Sequence, residues 1–186
     1  CGKEFQAMEN YQKAIELDRT KTEIYGELAR LAAKNRLHGE AAGYYRKMAD
    51  SGSDEVVGSF QIGKEYYFEG ENWKARFDSL KERQKTGTNN SADGPVEQQK
   101  MKYYYSLADS AFTVVTRLSP AYAGGFIWKG RMQSLLFADA ENTGAKDAYE
   151  KALQILGKDD EAKNSKMIIE CYKYLGSWYY LGYEKY

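Results

Sequence analysis

The sequence predicts an all-α protein assembled from repeated helices, and three observations support this prediction. First, the chain of 186 residues contains only 2 prolines, so few positions prevent a helix from continuing. Second, charged residues make up 29% of the chain, and lysine, arginine and glutamate are good helix formers. Third, small and aromatic residues recur at spacings that place them on one face of a helix, and this face returns along the chain.

Composition and charge exclude several classes of function. The chain carries 27 basic and 27 acidic residues, a formal net charge of +0, so no overall field attracts nucleic acid or an anionic membrane. The two cysteines, Cys1 and Cys171, cannot form a disulfide scaffold, and the single histidine, His38, cannot anchor a multi-histidine metal site. No apolar run approaches the ~20 residues that a membrane-spanning helix needs.

The repeated face consists of a small residue, an aromatic residue four positions later, and a small or apolar residue after a further three. Its first copy starts at Ala7, its second at Ala41, 34 residues later, and its third at Ala108, a further 67 residues on, which is close to two periods. Another small residue follows the start of each of these copies by 22 residues. The four copies are Ala7-Tyr11-Ala14, Ala41-Tyr45-Met48, Ala108-Phe112-Val115 and Ala145-Tyr149-Ala152, and the small residues that follow them are Ala29, Gly63, Gly130 and Gly176.

Helix-stop signals divide the chain into nine predicted helices. Polar and glycine residues after Asp50 end one helix, and Pro120 ends another because the residue before a proline disfavours helix. Gly70-Glu71-Asn72 is interpreted as a third break. The predicted helices span residues 3–18, 22–34, 38–51, 54–69, 71–85, 96–118, 122–138, 144–156 and 160–181.

The repeat pattern is interrupted by an insertion at about residues 72–106, which adds roughly one repeat of chain. We expect an additional helix at 71–85, a polar loop at 86–95 and a lengthened helix at 96–118. One interpretation is a degenerate repeat or a tolerated surface excursion, because loops accept insertions at low thermodynamic cost. The other is a protruding helical hairpin that contacts a partner.

Several segments resemble the tetratricopeptide repeat (TPR) family. Tyr25–Ala29, Ile62–Tyr67 and Tyr174–Tyr179 look like the family's first helix, with a small residue after an apolar one. Phe5–Asp18 and Leu107–Pro120 look like its second helix. The resemblance covers most of the chain outside about 74–106. It implies antiparallel helix pairs stacked into a right-handed superhelix with a concave groove, and proteins or peptides as ligands.

The resemblance also implies which side chains line this groove. The residue after the small one on each first helix would face it, which selects Arg30, Lys64 and Arg131. A row of cations would favour an acidic peptide, although long charged side chains also serve to solvate a helix surface. Carboxylate-binding members of the family carry asparagine at these positions, and this chain departs from that pattern. The neighbours on the same face are Lys34, Tyr67, Lys173 and Tyr180.

No catalytic or metal-binding motif is found in the sequence. It lacks a glycine-rich phosphate loop, paired metal ligands and a nucleophile elbow, so we predict no enzyme activity, no cofactor and no metal. His38 is expected at a helix start, either facing solvent or capping the helix. Cys171 is expected to be a buried thiol in an apolar helix, and Asp159-Asp160-Glu161 to be an acidic helix start. The 17 tyrosines are expected mainly in packing between helices, with stacking on a base or sugar as the alternative.

These observations predict a non-enzymatic scaffold that binds a peptide or helix of a partner protein. The alternative is a helical protein of the bacterial envelope that binds a carbohydrate or small ligand. We expect one repeat domain over residues 1–186, truncated at both ends and able to self-associate through unpaired end helices, with no nucleic-acid partner. Cys1-Gly2 resembles the lipid-attachment start of a bacterial lipoprotein, although we favour a fragment boundary. The resemblance favours the periplasm or cell envelope of a Gram-negative bacterium, and a cytoplasmic location stays open.

Overall fold

The fold is all-α, as the sequence predicts. The structure, a computed structural model, describes residues 2–51, 55–86, 94–137, 143–157 and 161–183. These residues form eight helices and no strand. The helices are α1 (Gly2–Leu17), α2 (Glu23–Lys34), α3 (His38–Asp50), α4 (Glu55–Lys85), α5 (Gly94–Leu118), α6 (Ala123–Leu136), α7 (Thr143–Leu156) and α8 (Glu161–Tyr183).

The predicted helix ends agree with the structure to within two residues, except at Gly70. The predicted break at Gly70-Glu71-Asn72 is wrong, because α4 continues through it for 31 residues. A Cβ atom added to Gly70 would lie 2.5 Å from the ring of Tyr105. This glycine therefore permits close approach of a tyrosine from α5 rather than ending a helix. Of the predicted loop at 86–95, residues 87–93 lie outside the described residues, and Gly94 already belongs to α5.

The chain divides into two compact units, residues 1–108 and 109–186. In the first unit α2 packs between α1 and α3, and α3 packs against α4. The centre of this packing is an apolar cluster in which each of the first three helices contributes a buried side chain. Its buried members are Met8, Leu28, Ala32 and Ala41.

In the second unit α7 packs between α6 and α8. Cys171 lies in the core of this unit with no exposed surface, as predicted. Burial raises the pKa of its thiol to about 11, so this cysteine stays protonated at neutral pH and behaves as a small hydrophobic side chain. The other buried members of the cluster are Ala123, Ile127, Tyr149, Ala152, Leu156 and Leu175.

The small residues of the repeat mark the close contacts between helices. Ala29, Gly63 and Gly130 are all buried, and a Cβ atom added to Gly130 would lie 2.8 Å from the ring of Tyr149. Gly176 is the exception, because it is exposed and, among the described residues, no atom outside its own helix backbone lies within 4 Å of the position that its Cβ would take. Three of the four small residues that follow the repeated face are therefore buried, and the fourth is exposed. The prediction of a single domain over the whole chain stays a prediction.

Candidate interaction surfaces

The single histidine is part of the packing between α3 and α4. Its side chain is only 13% exposed, so the expected solvent-facing position is wrong. Nδ1 of His38 lies 2.7 Å from Oε2 of Glu65, whose side chain is 7% exposed, and the ring packs against Phe68. Burial, together with the nearby Glu65 carboxylate, raises the pKa of Tyr45. His38 therefore links α3 to α4, and one of its two ring nitrogens, Nδ1, has a carboxylate as its partner.

Two of the predicted groove cations lie on α2 and already hold carboxylates. Arg30 donates to Glu27 one turn earlier on the same helix, and Lys34 forms an ion pair with Glu4 of α1. Both cationic side chains are well exposed, at 71% and 68%. Exposed pairs of this kind contribute about 1 kcal/mol or less, so a competing carboxylate can replace Glu27 or Glu4 at little cost.

The other two predicted groove residues of the first unit, Lys64 and Tyr67, lie on α4. Lys64 is half-buried. The ring of Tyr67 stacks on Tyr105 of α5, with centroids 6.2 Å apart. Tyr67 therefore contributes to packing between helices, and both side chains are only partly exposed.

Tyrosine pairs join α4 to α5. Tyr66 lies 6.2 Å from Tyr104 between ring centroids, one residue before the stacked pair of Tyr67 and Tyr105. The side chain of Tyr105 is 1% exposed and its hydroxyl donates to Glu71; burial, reinforced by this carboxylate, raises its pKa strongly. The prediction that these tyrosines serve packing is confirmed for this cluster. Tyr103, which directly precedes Tyr104 in the sequence, is 58% exposed.

Arg131 of α6 is held by an ion pair and an aromatic ring in the second unit. Its Nε and Nη2 atoms donate to the two carboxylate oxygens of Glu170 on α8, at 2.6 and 2.5 Å. Its guanidinium also lies 4.5 Å from the centroid of the Trp128 ring. A bidentate ion pair combined with a cation–π contact fixes the orientation of this side chain. The side chain of Arg131 is 35% exposed, so part of it is accessible to solvent.

The remaining predicted residues, Lys173 and Tyr180, are exposed on α8. The adjacent Tyr179 donates its hydroxyl to Glu150 of α7 at 2.8 Å, and this hydrogen bond is the main reason that the pKa of Glu150 is lowered. Glu150 also accepts from Lys146 at 3.2 Å. Sequence reasoning identified neither Glu150 nor Glu170, because neither belongs to the repeated face.

Ion pairs within the chain reduce the positive charge of the predicted groove residues. Three of the five predicted cations are ion-paired within the described residues, so the groove helices are less positive than their cation content alone suggests. In the part of the chain that the structure describes, no group of three or more histidine, cysteine, aspartate or glutamate residues could hold a metal ion. None of the described helices is long and apolar enough to cross a membrane. Cys1, Asp159 and Asp160 lie outside the described residues.

Two proteins of known structure are similar to this chain. One is the C-terminal part of a TPR repeat-containing protein from Cytophaga hutchinsonii, with 19% identity, a TM-score of 0.40, and coverage of 98% of this chain and 85% of that one. The other is YrrB, described as a TPR protein with an unusual peptide-binding site, with 19% identity, a TM-score of 0.33, and coverage of 89% and 84%. A scan against protein-family models found no match, and neither did a search of curated proteins. The described part of the chain is all-α, and its similarity to these two TPR proteins is distant.

Proposed function

We propose that this chain is a non-enzymatic scaffold that binds a peptide or helix of a partner protein through the first helix of each pair. One observation carries the proposal: the residue after each buried small residue is accessible. Ala29 has no exposed surface, whereas the side chain of Arg30 is 71% exposed. Gly130 is buried, whereas Arg131 is 35% exposed. Repeat packing thus presents a cation beside each close contact between helices.

The chemistry of these positions favours an acidic segment as the ligand. Lys64 is half-exposed, and Lys173 is exposed. Arg30 offers its charge once a ligand carboxylate displaces Glu27, which costs little on an exposed surface. Arg131 is different, because Glu170 holds it with two hydrogen bonds and would have to be left without a partner. We therefore expect Arg30 and Lys64 to contribute more to acidic-peptide affinity than Arg131.

Binding of an acidic peptide library to two variants tests this ranking. One variant carries Arg30→Ala with Lys64→Ala in the first unit, and the other carries Arg131→Ala in the second unit. Lys13→Ala with Lys151→Ala is the matched control, because both lysines are exposed and lie on second helices. Fluorescence anisotropy at two salt concentrations, with circular dichroism melts as the folding check, measures the effect of each change.

The first variant should weaken binding most and should reduce its salt dependence, because fewer charges are paired on binding. The second variant should weaken binding less, and the control should bind as the unmodified chain does. Affinities that are unchanged in the first variant, or insensitive to salt in the unmodified chain, would contradict the proposal. A carbohydrate- or small-ligand-binding role stays a prediction, and the exposed Tyr103 is the side chain that a parallel sugar titration should examine.

A further inference from the structure

The second half of α4 and the first half of α5 lie against each other as an antiparallel helical hairpin. The Nζ atom of Lys100 lies 4.1 Å from the centroid of the Trp73 ring. One turn further along α4, a Cβ atom at Gly94 would lie 3.7 Å from the ring of Phe77. The contacts therefore advance along α4 while they go back along α5, as they do in an antiparallel pair.

This basic hairpin, defined as residues 73–85 of α4 and 94–102 of α5, carries an excess of positive charge. It contains seven basic and three acidic residues, in a chain whose formal net charge is +0. Asp78 and Glu82 each pair with a lysine of their own helix, and Glu97 forms no ion pair with a described residue. The basic residues are Lys74, Arg76, Lys81, Arg83, Lys85, Lys100 and Lys102.

Two of these cations lie against one aromatic ring. The guanidinium carbon of Arg76 is 4.5 Å and the Nζ atom of Lys100 is 4.1 Å from the centroid of Trp73, so the two charges are less than about 9 Å apart. Both side chains are exposed, and neither forms an ion pair with a described carboxylate. Like charges this close repel each other. A bound anion would relieve that repulsion, whereas Arg30 and Lys34 already hold carboxylates of their own chain.

A groove of about 440 Å³ adjoins this pair of cations. Arg76 and Leu80 line it from α4, one turn apart on the same face, and Glu97 lines it from α5. Oε2 of Glu97 is buried and accepts no hydrogen bond from a described residue. The groove thus combines a cation, an apolar side chain and a carboxylate that pairs with neither cation. The other lining residues are Ala75, Ser79 and Arg83.

These groups suit a protein segment in which carboxylates stand next to an apolar side chain. The guanidinium of Arg76 can hold a carboxylate by two hydrogen bonds, Lys100 can pair with a second one, and Leu80 offers apolar surface between the helices. A nucleic acid suits the groove less. Its phosphates would meet the carboxylate of Glu97, and the ring of Trp73 contacts two cations of its own chain where a base would have to stack.

We propose that the groove of the basic hairpin binds an acidic segment of a partner protein, with Arg76 and Lys100 as anchors and Glu97 as the group that limits affinity. This site does not depend on the surface described under the proposed function. Lys64 and Arg76 are twelve residues apart on α4, which separates them by about 18 Å along the helix and about 120° around it. The residues that interrupt the repeat thereby acquire a binding role of their own.

The indole N–H signal of Trp73 in an NMR titration reports on this site. The indole donates to Glu69 at 2.9 Å, and Trp73→Phe identifies its signal among those of the 3 tryptophans. The probe is a short peptide made of Glu-Glu-Leu-Ser repeats. The same peptide with glutamine in place of glutamate is the uncharged control.

Two variants of the chain remove opposite charges from the groove, and a third is the matched control. Arg76→Gln with Lys100→Gln removes the anchors, and Glu97→Gln removes the carboxylate while keeping its shape. Arg117→Gln with Lys151→Gln is the control, because it makes the same change of charge at an exposed arginine and an exposed lysine of other helix surfaces. Circular dichroism melts check that all variants fold.

The acidic peptide should shift the Trp73 signal in the unmodified chain and in the matched control. Loss of both anchors should weaken binding about tenfold or more, because two charge-assisted contacts disappear. Glu97→Gln should instead strengthen binding about two- to fivefold, because a like charge no longer faces the peptide. A gain of affinity in this variant cannot result from a damaged fold.

The Arg30→Ala, Lys64→Ala variant separates this site from the proposed function, and it should leave the shift of the Trp73 signal unchanged. Peptide binding without that shift would contradict the hairpin site and leave the proposed function standing. An equal response to the uncharged peptide, unchanged binding without the anchors, or weaker binding in Glu97→Gln would each overturn the proposal. So would an oligonucleotide or a vesicle of anionic lipid that shifts the Trp73 signal at lower concentrations than the peptide does.

Discussion

The two corresponding glycines, Gly130 and Gly176, allow a direct measurement of the free energy lost when a methyl group is forced against a neighbouring ring. Both lie inside helices at equivalent repeat positions, so replacing either with alanine gives the same gain in helix propensity, about 1 kcal/mol. The two substitutions differ in what the new methyl group meets. At Gly130 it meets the ring of Tyr149, whereas at Gly176 it meets no neighbouring side chain among the described residues. The difference between the two changes in the free energy of unfolding therefore isolates packing.

The magnitude follows from the surroundings of Tyr149. A Cβ atom at Gly130 would lie 2.8 and 2.9 Å from two ring carbons of Tyr149, so an atom must move. The ring is 3% exposed and stacks on Tyr174 with centroids 4.6 Å apart, so it cannot move away freely. Overpacking of this kind costs about 1–3 kcal/mol. Gly130→Ala should thus lower the free energy of unfolding by ~0–2 kcal/mol, whereas Gly176→Ala should raise it by ~1 kcal/mol.

Urea unfolding at low protein concentration, where association contributes little, measures both values. Thermal melts provide a second measurement, since 1 kcal/mol corresponds to about 2–4 °C in a protein of this size. We expect the two variants to differ by ~1–3 kcal/mol. Equal stabilities would refute the reasoning, because they would mean that the ring of Tyr149 does not lie against Gly130.

Three further predictions concern buried side chains. Ala108→Leu should lower the free energy of unfolding by ~1–3 kcal/mol, measured by urea titration, because Ala108 has no exposed surface. In a Cys1→Ser background, Cys171 should resist alkylation until the chain is unfolded. The pKa of its thiol is about 11 in the folded chain, above the ordinary 9.0. The contribution of the protonated thiol to the free energy of unfolding should therefore be complete at neutral pH and should decrease as the pH rises from 9.0 to about 11. Glu65→Ala should cost ~1–3 kcal/mol in thermal or urea unfolding and Glu65→Gln less, because only the alanine leaves the ring nitrogen of His38 without a partner.

The register of the repeat could be predicted from the sequence because the small residues that recur at a fixed interval are the ones that become buried. Small residues are required where two helix backbones approach, and this requirement repeats at a fixed interval. The structure buries Ala41, Ala108 and Ala145, the starts of three predicted copies. The first copy begins at Ala7, which is half-buried because α1 packs on one side. Ala7 therefore keeps the predicted spacing and is less buried than the other three.

Gly70 shows where sequence reasoning fails. A glycine that ends a helix and a glycine that admits a neighbouring ring have the same local sequence signature. The ring that requires Gly70 belongs to Tyr105, which lies on the next helix and 35 residues away in sequence. No local pattern identifies such a partner, so the sequence predicts a break where α4 is continuous.

The sequence predicts the cations of the candidate surfaces, but it does not predict all of the carboxylates that pair with them. Arg30 and Glu27 are three residues apart on one helix, a spacing at which pairing can be expected from sequence. Glu170 lies 39 residues after Arg131, and its position opposite the guanidinium depends on how α6 and α8 pack. The charge that a ligand encounters is the sum of both residues, so a prediction from the cations alone overstates the positive potential.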